Sequence, residues 1–295
     1  SINRDKVRVE LINEGARAVF ELDISIAQEK DLKGVEACFL ELAKKRRSIR
    51  QFKPDPVPDE FIQKILEAAR WAMSGANGQP WEFIVIRDEE TMKKLYEAGA
   101  ESEKQTAALE TSRADEMRQP WYRNLPDSIP PSRFSPAPVM IAVLGDPRTA
   151  QASVLNRLCD RRWVVDENIA ATTQIIHLAV AACGLGSQWV TVDRYYEELI
   201  KPILGVPPIL RIFSLVPIGY PAMEPKKPYR RDLAEIVHYE RYDMAKYRSH
   251  QAVQEMVYGR FKREAGKPTV VNVKRYPAEC VNPPDTMTSE QWIEA

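Results

Sequence analysis

The chain has 295 residues, 44% of them hydrophobic and 28% charged, the composition of a globular protein able to bury roughly three quarters of its unfolded surface. Lys+Arg and Asp+Glu both number 42, and the resulting net charge of +0 argues against generic binding to nucleic acid or anionic membrane. The scattered cysteines (Cys38, Cys159, Cys183, Cys280) and histidines (His177, His238, His250) form neither a disulfide framework nor a zinc motif; with no membrane-length apolar run and no leader core in residues 1–20, the chain reads as cytoplasmic, with reduced thiols and no bound metal.

Residues 1–40 alternate charged and apolar positions and are expected to form a peripheral helical arm. Pro58-Asp59 supplies a turn and an N-cap, after which Phe61, Ile62, Ile65, Leu66, Ala69 and Ala72 recur at helical spacing. Gly75, Gly78 and Pro80 stop that helix, and WEFIVI (81–86) follows as a buried strand. Asp88 caps the next helix. Residues 101–138 are polar and, toward their end, proline-rich, an insertion of the kind that covers a substrate. PVMIAVLG (138–145) reads as a core strand, Trp163 to Cys183 as a long apolar helix, and SQWVTV (187–192) and RIFSLVPIG (211–219) as further strands. The alternation of helix and strand predicts an α+β protein, three-layered around a central mixed sheet. We expect domains at 1–40, 41–240 and 241–295, the last an aromatic extension laid across another surface.

Nucleotide and hydrolase motifs are missing: there is no GxxxxGK[ST], no complete GxGxxG and no GxSxG. The strongest local signal is RRSIRQF (46–52), where Arg46 and Arg50 are four apart and would share a face if helical, flanked by Arg47 and Ser48. Guanidinium forks and a hydroxyl match the oxygens of a phosphate; a solvated basic face is the alternative. MSGANGQPW (73–81) follows, with Ser74, Asn77 and Gln79 on a turn whose glycines allow close backbone approach. A helix cap and turn would account for the glycines. It would not require the amides, which suit the imide edge of a flat heteroaromatic ring.

Together these segments resemble the nitroreductase-like FMN oxidoreductases, whose usual motifs are R-x-S-x-R-x-F and A-P-S-x-x-N-x-Q-P-W. AACGLGSQWVTV and KKPYRRDLAEIVHYE are similar to two later family segments, and the four matches keep family order over about residues 40–240. The resemblance implies that Arg46, Arg47, Ser48 and Arg50 hold the FMN phosphate and ribityl chain, joined by Arg230. It places Met73, Ser74, Gly75, Asn77 and Gln79 along the ring and ribityl, and Trp189, Val190 and Thr191 beside the ring. Family members are homodimers whose two flavin sites are built from both chains. Met73 stands where the family usually has proline, and Tyr229 interrupts the closing basic run, leaving Lys227 in doubt as a phosphate ligand.

The implied activity is transfer of hydride from NADH or NADPH through flavin to a small nitroaromatic, quinone or enone-like acceptor. Alternatives are a narrow-substrate flavin dehydrogenase, a reductive dehalogenase of the same fold, and a non-catalytic FMN-binding protein. Trp121 and Tyr122 are candidates for contacting substrate or for anchoring a lid. His177 reads as a core or interface histidine and Cys183 as packing.

Overall fold

The computed structural model describes residues 6–13, 16–23, 29–112, 136–151, 163–249, 252, 253 and 256, with backbone alone through residue 33. The strand VMIAVLG (β4, Val139–Gly145) is buried along its whole length. A strand enclosed on both faces needs a layer on each side, and its alternate residues reveal both. Val139, Ile141 and Val143 join an apolar cluster with helices α2 (Asp59–Ala69) and α4 (Trp163–Ala182). Met140, Ala142 and Leu144 join a second cluster with α3 (Glu89–Ser112) and α5 (Arg194–Leu204). The expected three-layer α+β arrangement follows directly.

Five strands make the sheet: β3 (Trp81–Ile86), β4, β7 (Arg211–Gly219) and β5 (Gly186–Ser187) in that order, with β6 (Val190–Thr191) also paired to β7. All these strand pairs are antiparallel. The parallel component of the expected mixed sheet is confined, among the described residues, to an isolated bridge between Ser48 and Ser187. WEFIVI is an edge strand, not a buried one: Trp81 and Ile86 are buried while Glu82 and Val85 face outward.

SQWVTV is not one strand but two short pieces, and Pro217 explains the break. Its carbonyl accepts the Gln188 N–H at 3.3 Å. A residue in a strand points its N–H and C=O to the same side, and proline has no N–H to return. The ladder therefore lapses at Gln188 and Trp189, and Trp189 swings to the surface.

Three other expectations are corrected. Two strands, β1 (Lys6–Asn13) and β2 (Ala16–Asp23), pair antiparallel, and the helix α1 runs from Glu29 to Lys45. Alternation with period two is a strand signature. Asp59 is the first helical residue, with Pro58 at the cap position, and its carboxylate pairs with Arg87 at 2.7 Å. Helix α3 continues to Ser112 because ESEKQTAALETS contains no proline. Asp88 does cap α3, accepting the Thr91 N–H at 2.8 Å.

The chain divides into two compact units, Ser1–Ser102 with Ser132–Lys226, and Glu103–Pro131 with Lys227–Ala295. The second boundary thus falls before the expected division at 240.

The extended segment after α1 is sewn onto the sheet. Ile49 donates to the Ser187 carbonyl at 2.9 Å, Lys53 to Tyr220 at 2.8 Å, and Ala222 to the Gln51 carbonyl at 3.0 Å. Gly186 makes this approach possible, because a Cβ there would lie 2.5 Å from Ile49 Cγ1 and 2.8 Å from its Cβ. Gly186→Ala should therefore push the segment off the sheet and cost about 1–3 kcal/mol, the usual range for an overpacked core. Urea denaturation at neutral pH measures it, and an unchanged midpoint would show that the contact yields.

Candidate functional site

RRSIRQF is extended, not helical, so its side chains alternate with period two. Ile49 is buried against Gly186, and Ser48 and Arg50 stand on the opposite side, Ser48 half-buried and Arg50 exposed. The helical reading that put Arg46 and Arg50 on one face is replaced by this strand geometry. Arg46 is half-buried just past the end of α1, its N–H donated to the Leu42 carbonyl at 2.9 Å. Arg47 turns back instead: its guanidinium donates to the carbonyls of Lys44 and Arg46. It caps the last turn of α1, where cations complement the helix dipole.

Beneath this segment lies His177, on α4. Its Nδ1 is 2.7 Å from Ser187 Oγ, and its ring stacks on Trp189 with centroids 5.6 Å apart and planes at 26°. Both His177 and Ser187 are buried, and Nε2 has no hydrogen-bond partner among the described residues. Burial and, secondarily, the Arg46 charge push the imidazole pKa down to about 4, so the ring is neutral near pH 7. Trp189 itself is 38% exposed, with its ring stacked on the imidazole.

Past Trp189 the Val190 side chain sinks into the second apolar cluster and its backbone is turned toward β7. Val192 donates to the Phe213 carbonyl at 3.4 Å, toward β7. Antiparallel strands alternate the direction of their N–H groups. The Thr191 N–H therefore faces away from β7, at the open edge, with its side chain exposed.

The second predicted element, MSGANGQP, is a tight and strained turn. Ala76, Asn77 and Gln79 have φ of 52°, 54° and 44°. Left-handed backbone costs most non-glycine residues about 1–2 kcal/mol each, and such residues gather at binding sites where surrounding structure enforces them. Two bonds enforce it here. Ser74 Oγ accepts the Gln79 N–H at 3.1 Å, and Asn168 Oδ1, from α4, accepts the Gly75 N–H at 3.1 Å. With Ser74 and Gly75 so engaged, the exposed Asn77 and Gln79 carry the turn's amide groups, and Met73 is 86% exposed beside them.

These two sets do not converge within one chain. Asn168 holds the turn and His177 underlies the arginine segment. Nine residues along an α-helix are about 13 Å of rise and half a turn of rotation, so the sets flank α4 on opposite faces. Arg230 belongs to the second compact unit, exposed, with its guanidinium donating to the Tyr229 carbonyl at 2.9 Å. Trp121 and Tyr122 lie outside the described residues. Sequence reasoning missed Asn168, which no local pattern marks, and gave His177 only a packing role. A histidine in an otherwise apolar and alanine-rich helix was its one signal.

The depressed His177 pKa has a checkable sign. The folded value lies below the ordinary 6.5, so the neutral ring's contribution is complete above that pH and is lost as pH falls toward 4. Over that window the group should withdraw about 3 kcal/mol of stability. His177→Asn removes the titration. The stability difference between wild type and variant should therefore shrink by up to that amount between pH 7 and 4 in urea unfolding. A constant difference would mean an ordinary histidine.

Residues 43–220 match the family model for the nitroreductase family. An NADH dehydrogenase of Thermus thermophilus is 32% identical over 205 residues, covering 66% of this chain and 92% of that protein. An iodotyrosine deiodinase of Nematostella vectensis is 27% identical over 221 residues, covering 72% of this chain and 78% of its own. Among solved structures, an iodotyrosine deiodinase bound to FMN and 3-iodo-L-tyrosine shares the fold, with TM-score 0.51 and 24% identity over 69% of this chain and 100% of that one. With more than half of its length matched by the family model, the chain belongs to the nitroreductase family and is a flavin oxidoreductase of that fold.

Proposed function

We propose that the protein is an FMN-dependent NAD(P)H oxidoreductase, working as a homodimer on a small electron-poor acceptor. The observation that carries this reading is the sheet-anchored arginine segment beside the half-exposed Trp189, with the neutral His177 beneath. The residues present fit a phosphorylated, flat heteroaromatic group. Arg46, Ser48 and Arg50 offer charge-assisted and hydroxyl donors suited to a phosphate, and Trp189 offers an apolar wall. The outward N–H of Thr191 offers a further donor at the sheet edge. Arg47, already spent on the end of α1, is a weaker phosphate ligand than its neighbours in this reading.

Bound FMN would supply the chemistry that accepts hydride from a nicotinamide and passes it to the acceptor. The chain's own work is then binding, orientation and charge. The guanidinium groups of Arg46 and Arg50 would hold the phosphate, and the Thr191 N–H, turned away from β7, would supply a fixed dipole of the kind that stabilises developing negative charge. The strained turn carrying Asn77 and Gln79 serves the site of a second copy, since within its own chain it lies on the far face of α4.

Reductive dehalogenation is the second reading, favoured by the Nematostella vectensis deiodinase, whose match extends over 72% of this chain. Both readings share the flavin and differ in the acceptor.

The test is the visible absorption of the FMN-loaded protein under anaerobic conditions. Flavin bands should bleach on addition of NADH or NADPH, and reoxidise with a quinone or nitroaromatic acceptor. Bleaching followed by turnover with a halogenated phenol alone would select the dehalogenase, and bands that neither nucleotide affects would overturn the NAD(P)H reading.

A further inference from the structure

The flavin reading leaves unexplained why a titratable ring is buried beside the first apolar cluster. His177 sits on α4 between residues that build the first core, Ile176 and Val180, and it is itself almost wholly buried. A leucine would fill similar volume without burying two ring nitrogens, one of which finds no partner among the described residues. Such a group is costly to keep unless it is used.

What it touches suggests the use. Nδ1 meets Ser187 Oγ at 2.7 Å, and Ser187 is half of the two-residue strand β5. The same serine's carbonyl accepts the Ile49 N–H, so it also holds the arginine segment. Two residues on, Trp189 stacks on the imidazole at the point where Pro217 has interrupted the ladder. Strand β5 pairs only Gly186 and Ser187 with β7, and after the single Gln188 bond to Pro217 the ladder resumes only at Val190. The ring therefore clamps a weakly paired strand from below while supporting Trp189 from the side. Arg46, from the segment after α1, is the charged group acting on it.

We propose that His177 is a positioning residue for flavin: through Ser187 it fixes the arginine segment, and through its stack it fixes Trp189, so that the phosphate-holding and ring-facing parts of the site keep one register. This rests on the FMN reading above. His177 itself need not touch the cofactor. Its effect travels through a hydrogen bond and a ring contact, and the two must be removed separately to see it.

The experiment measures FMN dissociation constants, together with the quenching of flavin fluorescence on binding, for wild type, Ser187→Ala, His177→Leu, His177→Asn and the Ser187→Ala/His177→Leu pair. Asparagine places an amide where Nδ1 stood but has no ring to stack on Trp189, so His177→Asn should bind FMN within about threefold of wild type while quenching it less. Ser187→Ala and His177→Leu should each weaken binding by on the order of tenfold, and the pair by no more than the worse single change, because both break one link. Quenching should fall in His177→Leu, which loses the support of Trp189, and persist in Ser187→Ala. Should His177→Leu fail to fold, Ser187→Ala and the asparagine variant still decide the matter.

Equal affinity in wild type and Ser187→Ala would overturn the proposal, as would additive losses or a His177→Asn variant as poor as the leucine. If the wild type takes up no FMN at all, the flavin reading fails and the proposal with it. Uptake with unchanged variants would sink the proposal alone.

Discussion

The pairing of residues 49–53 with Ser187 and Tyr220 is the constraint on which the candidate site depends. Without it RRSIRQF would be a basic stretch after a helix, free to spread its charges into solvent. Three backbone hydrogen bonds and the buried Ile49 turn it into an added strand whose side chains have assigned directions. Charges so fixed lose little conformational entropy on meeting an anion, which is what distinguishes a binding site from a solvated patch. The pairing in turn requires a glycine at 186, a short strand beside it and an interrupted ladder beyond. Those conditions trace to Gly186 and Pro217, two residues with unusual backbones.

The second half of the site is built on a different principle. The turn from Ser74 to Gln79 holds three residues in left-handed backbone, against their own preference, by means of Ser74 and Asn168. Strain of this kind is retained where a shape matters more than stability. Helix α4 connects the two halves: Asn168 anchors the turn, and His177 supports the arginine strand. Their placement on opposite faces of that helix is what the proposed completion of the site between two copies would require.

Periodicity made the α2 and α4 helices and the β4 and β7 strands legible, since each buries a face or is buried whole. The motif residues could be singled out too, because guanidinium groups and amides match the chemistry of a phosphorylated ring. Their conformation was not. Arg46 and Arg50 suggested a helix because their spacing is helical, whereas the strand geometry is imposed by Ser187, far away in sequence. SQWVTV read as one strand because nothing local reveals that Pro217 stands opposite it. The alternation of charged and apolar positions in residues 6–13 and 16–23 has the period of strands, and only the cross-strand pairing shows an antiparallel ribbon in place of a helical arm. Asn168 and His177 acquire their roles only from what the fold brings against them.

The central claim is that the anchored arginine segment reads a phosphate attached to a flavin. Parallel fluorescence titrations of the flavin-free protein with FMN and with riboflavin test it most directly, since the two ligands differ only in that phosphate. Two or more charge-assisted hydrogen bonds, each worth about 1.5–3 kcal/mol, should make FMN bind on the order of 100-fold more tightly. Equal affinity for the two would contradict the account, and the arginines of RRSIRQF would then be a surface feature of the fold and not its phosphate site.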